Sequence, residues 1–416
     1  MNKYRDIVGR INYGLFLAVV FLLPFPQICL RYACVVWFIS WILELRWLQK
    51  PAITLQLSTI KTILPFLLFG LWYVWKGISF FWCTDTDAWS WHMERFLTFW
   101  LIVPIGIWGV NEHYNWRNVG LTLIIGCISA VVFYLILMTI LHVHPSWAAQ
   151  LGMPAEWTYY DSWRMFFKEN ISFVKHRLFL SSVEILGAIT AWRLFRKQWK
   201  ILFPTLAIML SIIVLSDSRQ AMISAIVLAI MEFIFALPEK HKIRRSLAII
   251  ITGIVLLGSI FAIHPRMKDF NYGAFKEIRK VDYNHDVRLL LWSFALQQPR
   301  DYMAYGLGAG QSTPYLTEKY RTFGYDYFAD AQLDSHNQYL TEMLELGIPG
   351  LLFFLLAWLS IPLCAPKQNE QIAWLFTVLF ILNMFTECMF GRFCGIAIWA
   401  VGLVTIYLSA PADTDV

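Results

Sequence analysis

Twelve stretches of this chain are apolar runs about as long as a bilayer is thick: 11–27, 29–46, 62–82, 92–110, 118–142, 172–192, 200–216, 219–236, 246–263, 337–363, 372–389 and 392–410. A helix rises about 1.5 Å per residue, so a hydrocarbon core about 30 Å thick takes roughly 20 such residues. A water-soluble fold has no place for twelve of them. Composition agrees: 58% of the 416 residues are hydrophobic and 15% charged, against roughly 45–50% and 25% in soluble domains. These figures exclude a soluble enzyme, a disordered scaffold and a nucleic-acid binder. The net charge of +6 lies in short loops between the runs rather than on one basic face. The first two runs join through Pro24, Pro26 and Arg31 and read as a helical hairpin. No small-residue cleavage site follows the first run, which therefore reads as a span rather than a cleaved signal. The expected fold is an all-α integral membrane protein of about twelve transmembrane helices. Spans one to nine fill 1–263, a large loop fills 264–336, and spans ten to twelve with a short tail fill 337–416.

Lys and Arg accumulate in cytoplasmic loops. With the N-terminus inside, the inner segments hold 16 Lys/Arg in 64 residues, and the short outer ones hold 5 in 54. The clusters RLFRKQW and EKHKIRR carry most of that bias. Both termini are therefore expected inside. Two outer segments are long, 143–171 and 264–336, and connections of that length are usually functional or disordered. The second has amphipathic stretches (FKEIRKV, VRLLLWSFALQQ) and a glycine turn (GLGAG), so a partly helical outer cap is expected. No repeat relates the two halves, which gives inverted-repeat transporter architecture no support.

This topology gathers polar residues at the outer ends. Arg219 lies in LSDSRQA between two apolar runs, Arg288 in NHDVRLLLWSFA, and His336 in DSHNQYLTEMLELGIPG. Each has a plain reading. Arg219 could snorkel to the interface while the SDS run caps the next helix. Arg288 could be a surface cation on an amphipathic helix. His336 could sit beside a cap made by Asp334, Ser335 or Asn337. Their shared side, and the strings around them, favour a common role. His176 and Arg177, at the outer end of the sixth run, lie at a similar depth. His285 and Asp286 could join the cap around Arg288. Glu184 lies mid-run, where a carboxylate is costly without a partner. Apart from it, ionisable residues are nearly absent from the middle of the runs.

The strings GLGAGQS (306–312) and DSHNQYLTEMLELGIPGLLFFLLAW (334–358) resemble the signature of the O-antigen ligase and polymerase superfamily. In that signature a Gly-rich turn precedes a histidine, and Glu-x-Gly-x-x-Gly follows in the next helix. The positions here are Gly306, Gly308, Gly310, His336, Glu345, Gly347 and Gly350; Arg219 and Arg288 also match the family pattern. The resemblance is specific over 216–358, and the first five runs match only in hydrophobicity and number. It implies a GT-C-like membrane glycosyltransferase of the bacterial inner membrane, with a periplasmic active site and no metal or other cofactor. The donor would be a glycan on undecaprenyl diphosphate and the acceptor a sugar of lipid A–core. By the same resemblance His336 would be the catalytic base, with Arg219 and Arg288 binding the diphosphate. His176 and Arg177 match more loosely. The chemistry is sound: arginine binds phosphate oxygens bidentately and stays charged, and a histidine can take a hydroxyl proton near neutral pH.

Three look-alikes carry less. Asp85-Thr86-Asp87 resembles a metal-binding DxD, but so short a string recurs by chance. GLGAGQ follows no strand and opens no βαβ unit, so it is no dinucleotide fingerprint. The seven cysteines show no CxxC spacing, so neither a disulfide framework nor a zinc site is indicated. A polymerase of the same superfamily and a lipid-linked-sugar carrier remain alternatives to a ligase. Polymerases often carry Arg-x10-Gly in two outer loops. The long outer segments here have none, and the one match, Arg95 to Gly106, lies inside a run. A carrier would place charges near the midplane rather than at the outer ends.

Overall fold

A computed structural model describes residues 2–48, 57–150, 176–216, 218–237 and 287–409. The expected ninth span (246–263), most of the 143–171 segment, and 264–286 with His285 and Asp286 lie outside the described residues. Among the described residues the regular structure is helical throughout, with no strand. The helices are α1 (Asn2–Leu22), α2 (Gln27–Leu43), α3 (Leu57–Ile78), α4 (Thr86–Trp108), α5 (Trp116–Val143), α6 (Pro145–Gln150), α7 (Arg177–Phe195), α8 (Trp199–Leu215), α9 (Arg219–Phe235), α10 (Val287–Ala295), α11 (Ser312–Thr322), α12 (Asp326–Asp330), α13 (Gln338–Cys364), α14 (Glu370–Met384) and α15 (Phe393–Leu408). Among the described residues five helical segments, Gln27–Leu48, Ile60–Phe81, Trp116–Val143, Arg177–Phe195 and Gln338–Cys364, are long and apolar enough to cross a bilayer. The chain is a membrane-embedded protein, all-helical among the described residues.

Local chemistry sets the boundaries. The α1–α2 hairpin turns where expected, because Pro26 can precede a helix but not continue one. Asn115 starts α5 by accepting the N–H groups of Arg117 and Asn118 at 2.9 and 3.2 Å. Asn337 does the same for α13. Several boundaries depart from expectation, α4 beginning at Thr86 rather than 92 among them, and two departures are informative. Helix α1 begins at Asn2 rather than near 11, since its first turns are polar but helix-compatible. Helix α14 stops at Met384 rather than 389, and 385–392 is not a continuation of it. That stretch tucks Phe390 into the core, fully buried. The short 3-10 turn at Met389–Gly391 leaves its first N–H groups without a partner in the turn, and buried backbone of this kind is tolerated only where protein groups satisfy it; here Gln338 Oε1 accepts the Phe390 N–H at 2.9 Å.

The chain divides into two interleaved units. The first takes 1–52, 108–225 and 393–416. In it α1 packs on α2 and α5, α7 packs on α5 and α8, and α15 on α2 and α7. Its interior holds a satisfied polar chain: Trp37 Nε1 donates to Tyr114 Oη at 2.9 Å, and Tyr114 donates to Asn12 Oδ1 at 2.8 Å. The second takes 53–107 and 226–392. Helix α13 is its axis, packed on α3 and α14 around an aromatic core of Trp72, Phe99, Phe354, Trp358 and Phe390. A cap of α10, α11 and α12 closes one end. Its own apolar core, with Leu291, Phe294, Tyr320 and Phe328, docks on Leu344 of α13.

Candidate active site

The glycine signature is a joint. Pro349 has no N–H, so the Glu345 carbonyl would lack its helical donor. At Gly347 the backbone leaves the helix (φ 66°, ψ −167°), a region that essentially only glycine occupies. The 303–308 turn then pairs with the groups that the break exposes. Leu307 N–H donates to Leu344 O and Gly308 N–H to Glu345 O, both at 2.9 Å, while Ile348 N–H donates to Met303 O at 2.8 Å. Gly306 (φ 81°) lies so close that a Cβ there would stand 2.2 Å from Glu345 O. These glycines fix the cap to α13 just below the histidine.

Beside the joint lies a buried charge cluster, of which the sequence motifs mark only Glu345. Lys76 of α3 and Glu342 and Glu345 of α13 are all buried. Lys76 Nζ lies 3.1 Å from Glu342 Oε2 and 3.0 Å from Glu345 Oε2. The remaining capacity is used: Trp72 Nε1 and Gln338 Nε2 donate to Glu342 at 3.1 and 2.8 Å. Ser312 donates to Glu345 Oε1 at 2.7 Å, and His92 Nε2 lies 3.2 Å from Glu345 Oε2. Two aromatic rings, Trp72 and Phe96, face the ammonium within 5.0 Å. A buried ion pair survives only when its lone pairs and protons are met in this way. Lys76 sits two residues from the end of α3 and the carboxylates within the first turns of α13, so they lie toward helix ends rather than at the midplane.

His336 is built differently. Its backbone is left-handed at φ 46°, an uncommon state for a residue with a Cβ. The surroundings impose it. Asp334 Oδ1 accepts the His336 N–H at 2.8 Å, Trp292 Nε1 donates to Ser335 O at 3.0 Å, and Ser335 Oγ donates to Asn337 O at 2.9 Å. The ring is about a third exposed (31%), and Nδ1 lies 3.5 Å from both Asp334 Oδ1 and Glu387 Oε1. At that length these are charge contacts rather than good hydrogen bonds, in keeping with Nδ1 lacking a well-formed partner. Burial pulls the imidazole pKa down, but Glu387 and Asp334 outweigh both that and Arg288, so it is raised above its ordinary value. Arg288, the second residue of α10, donates from Nε to Thr386 O at 3.0 Å. Arg288 and His336 thus meet on either side of Thr386 and Glu387.

The other expected residues fall as follows. Arg219, His176 and Arg177 belong to the first unit. Arg219 opens α9, where Ser218 Oγ accepts the Ala221 N–H at 3.3 Å, so the SDS run does supply a cap. His176 precedes α7, its carbonyl accepting from Phe179 and Leu180, and Arg177 is the first residue of that helix. Asp85 caps α4, with Oδ1 accepting from Asp87 and Ala88 at 3.0 and 2.9 Å. Arg95 stacks on Trp91 at 3.6 Å and donates to Gly391 O at 2.8 Å, while Gly106 faces the Phe66 ring; both have packing roles. Asp6, Glu112 and His113 bring ligand atoms within 4.8 Å, but Asp6 already meets Arg10 and His113, and Glu112 meets Arg46.

Residues 204–355 match the sequence model of a family described as O-antigen ligase, a little over a third of the 416 residues. The matched stretch contains Arg219, Arg288, the glycine turn, His336 and the Gly347 break. It supports the O-antigen ligase and polymerase superfamily, whose members are glycosyl-transferring enzymes. No curated protein matches the chain.

Proposed function

We propose that this protein is an O-antigen ligase of the bacterial inner membrane. It would transfer a glycan from undecaprenyl diphosphate to a hydroxyl of lipid A–core at the periplasmic face, with inversion and without a metal. The observation that carries the reading is the His336 loop. A part-exposed imidazole is held in a left-handed backbone with Nδ1 toward two carboxylates, so Nε2 is the nitrogen proposed to meet substrate. Here the acceptor hydroxyl gives its proton to His336 Nε2 as its oxygen attacks the anomeric carbon. The carbon–oxygen bond to the diphosphate breaks, and the bonding pair leaves on the phosphate. Charge grows on that phosphate in the transition state, where an arginine donor contributes most. Arg288 fits the task, its guanidinium plane fixed by the Nε bond to Thr386 O. Arg219 is the second proposed phosphate ligand, and His176 and Arg177 are lesser candidates. The one Arg-x10-Gly match has packing roles at both ends, which favours ligase over polymerase.

The test is a reconstituted assay in EDTA with undecaprenyl-diphosphate-linked glycan, run with and without lipid A–core. Product that needs lipid A–core is expected. Longer polyprenyl-linked chains from donor alone would make the protein a polymerase. Donor movement without a new glycosidic bond would make it a carrier.

A further inference from the structure

The histidine is flanked by two carboxylates, and the structure distinguishes them. Asp334 is about a third exposed (36%) and spends Oδ1 on the His336 N–H. Glu387 is nearly fully buried, with its side chain 6% exposed. It sits in the 385–391 connection between α14 and α15, a turn followed by a short 3-10 helix at Met389–Gly391, and this connection is tied down from several directions. Asn337 Nδ2 donates to Phe385 O at 3.3 Å, Arg288 Nε to Thr386 O at 3.0 Å, and Arg95 Nη1 to Gly391 O at 2.8 Å. The Phe390 N–H reaches Gln338 Oε1, whose amide in turn donates to Glu342 in the Lys76 cluster. A buried carboxylate is costly unless it meets a cation or a donor, and its pull on a proton is stronger out of water. A carboxylate so held, with its oxygen 3.5 Å from Nδ1, has the place of a group that orients an imidazole.

We propose that Glu387 is a positioning residue for His336. Its carboxylate, 3.5 Å from Nδ1, favours the tautomer with the proton on Nδ1 and the lone pair on Nε2, and stabilises the imidazolium formed when the acceptor proton arrives. This rests on His336 being the base. The acceptor O–H proton moves to Nε2, the new carbon–oxygen bond forms, and the bond to the diphosphate breaks with its electron pair. The proton then leaves Nε2 for the released diphosphate or water, and Glu387 stays ionised throughout. The charged or titratable groups facing the ring are Asp334 from its own loop, Glu387 from the 385–391 stretch, and Arg288 from α10. Cys388 and Tyr320 lie near Asp334.

The experiment compares wild type, Glu387→Gln, Glu387→Asp, Asp334→Asn and His336→Asn in proteoliposomes. It uses undecaprenyl-diphosphate-linked glycan and lipid A–core, with kcat and KM followed against pH. General-base catalysis contributes about 10²–10⁴-fold. Because Asp334 remains, Glu387→Gln is expected to lower kcat by about 10–100-fold at unchanged donor KM. Its rising pH limb should move to lower pH, and Glu387→Asp should recover part of both. If Glu387→Gln does not fold, a limb shift in Glu387→Asp carries the same test. A wild-type limb and rate in whichever variant folds overturns the proposal while His336→Asn inactivity preserves the base. A larger limb shift in Asp334→Asn than in Glu387→Gln overturns it in favour of Asp334. An active His336→Asn overturns both readings.

Discussion

Two polar sites meet at the start of α13, one in its first turns and one just before its cap, and are made on opposite principles. In the Lys76–Glu342–Glu345 cluster the ammonium and both carboxylates are buried, and the contacts fall between 2.7 and 3.2 Å. Around His336 the backbone is strained, the ring is part-exposed, and the carboxylates stand at 3.5 Å. A saturated network has nothing left to offer a substrate, so it holds α3, α13 and the cap turn together. An under-saturated group in a forced conformation has capacity to spare, and strain of this kind marks functional loops.

The contrast breaks most sharply at Lys76. Lys76→Met leaves two carboxylates buried without their cation, a loss of about 3–5 kcal/mol. Folded protein should fall steeply in yield and thermal midpoint, as read by size-exclusion in detergent. His336→Asn should do the reverse. Asn tolerates a left-handed backbone, so the thermal midpoint should hold while transfer drops about 10²–10⁴-fold. Loss of fold in His336→Asn, or full stability in Lys76→Met, would erase the distinction.

Smaller changes sharpen it. Gly347→Ala places a Cβ in a glycine-only backbone region, 2.8 Å from Gly306 N, at about 1–3 kcal/mol; a lower thermal midpoint is the readout. Asn337→Ala removes the cap of α13 and should cost about 1 kcal/mol, measured the same way. The smallest effect is in pH. The folded imidazole is raised above its ordinary 6.5. Its stabilising contribution is therefore complete below about pH 6.5 and fades as pH rises through the raised value. Transfer, which needs the neutral ring, should increase across that same window. Stability and activity moving together there would contradict His336 as base.

Much of the histidine site was legible because its parts are close in sequence. The glycine turn, the Asn337 cap and His336 lie in two strings, and Arg288 marks itself by opening an amphipathic helix. The Lys76 cluster was not. Its partners are 266 and 269 residues apart, and a lysine near the end of an apolar run reads as a snorkelling cation. The Glu342/Glu345 pair, three apart on one face of an apolar helix, was the available signal. Glu387 was hidden by the helix end: hydropathy carries the run to 389, whereas the chain turns at Met384 to bury Phe390. Hydropathy measures transfer to lipid and is blind to whether a segment stays helical once neighbouring side chains satisfy its backbone.

The most direct test of this division between scaffold and chemistry is single-turnover glycan transfer by wild type and His336→Asn. Both would be reconstituted at equal folded amounts with undecaprenyl-diphosphate-linked glycan and lipid A–core. The account predicts matching thermal midpoints with transfer in the variant at least about 100-fold slower. Equal transfer rates would contradict it and leave the strained histidine as an element of the cap.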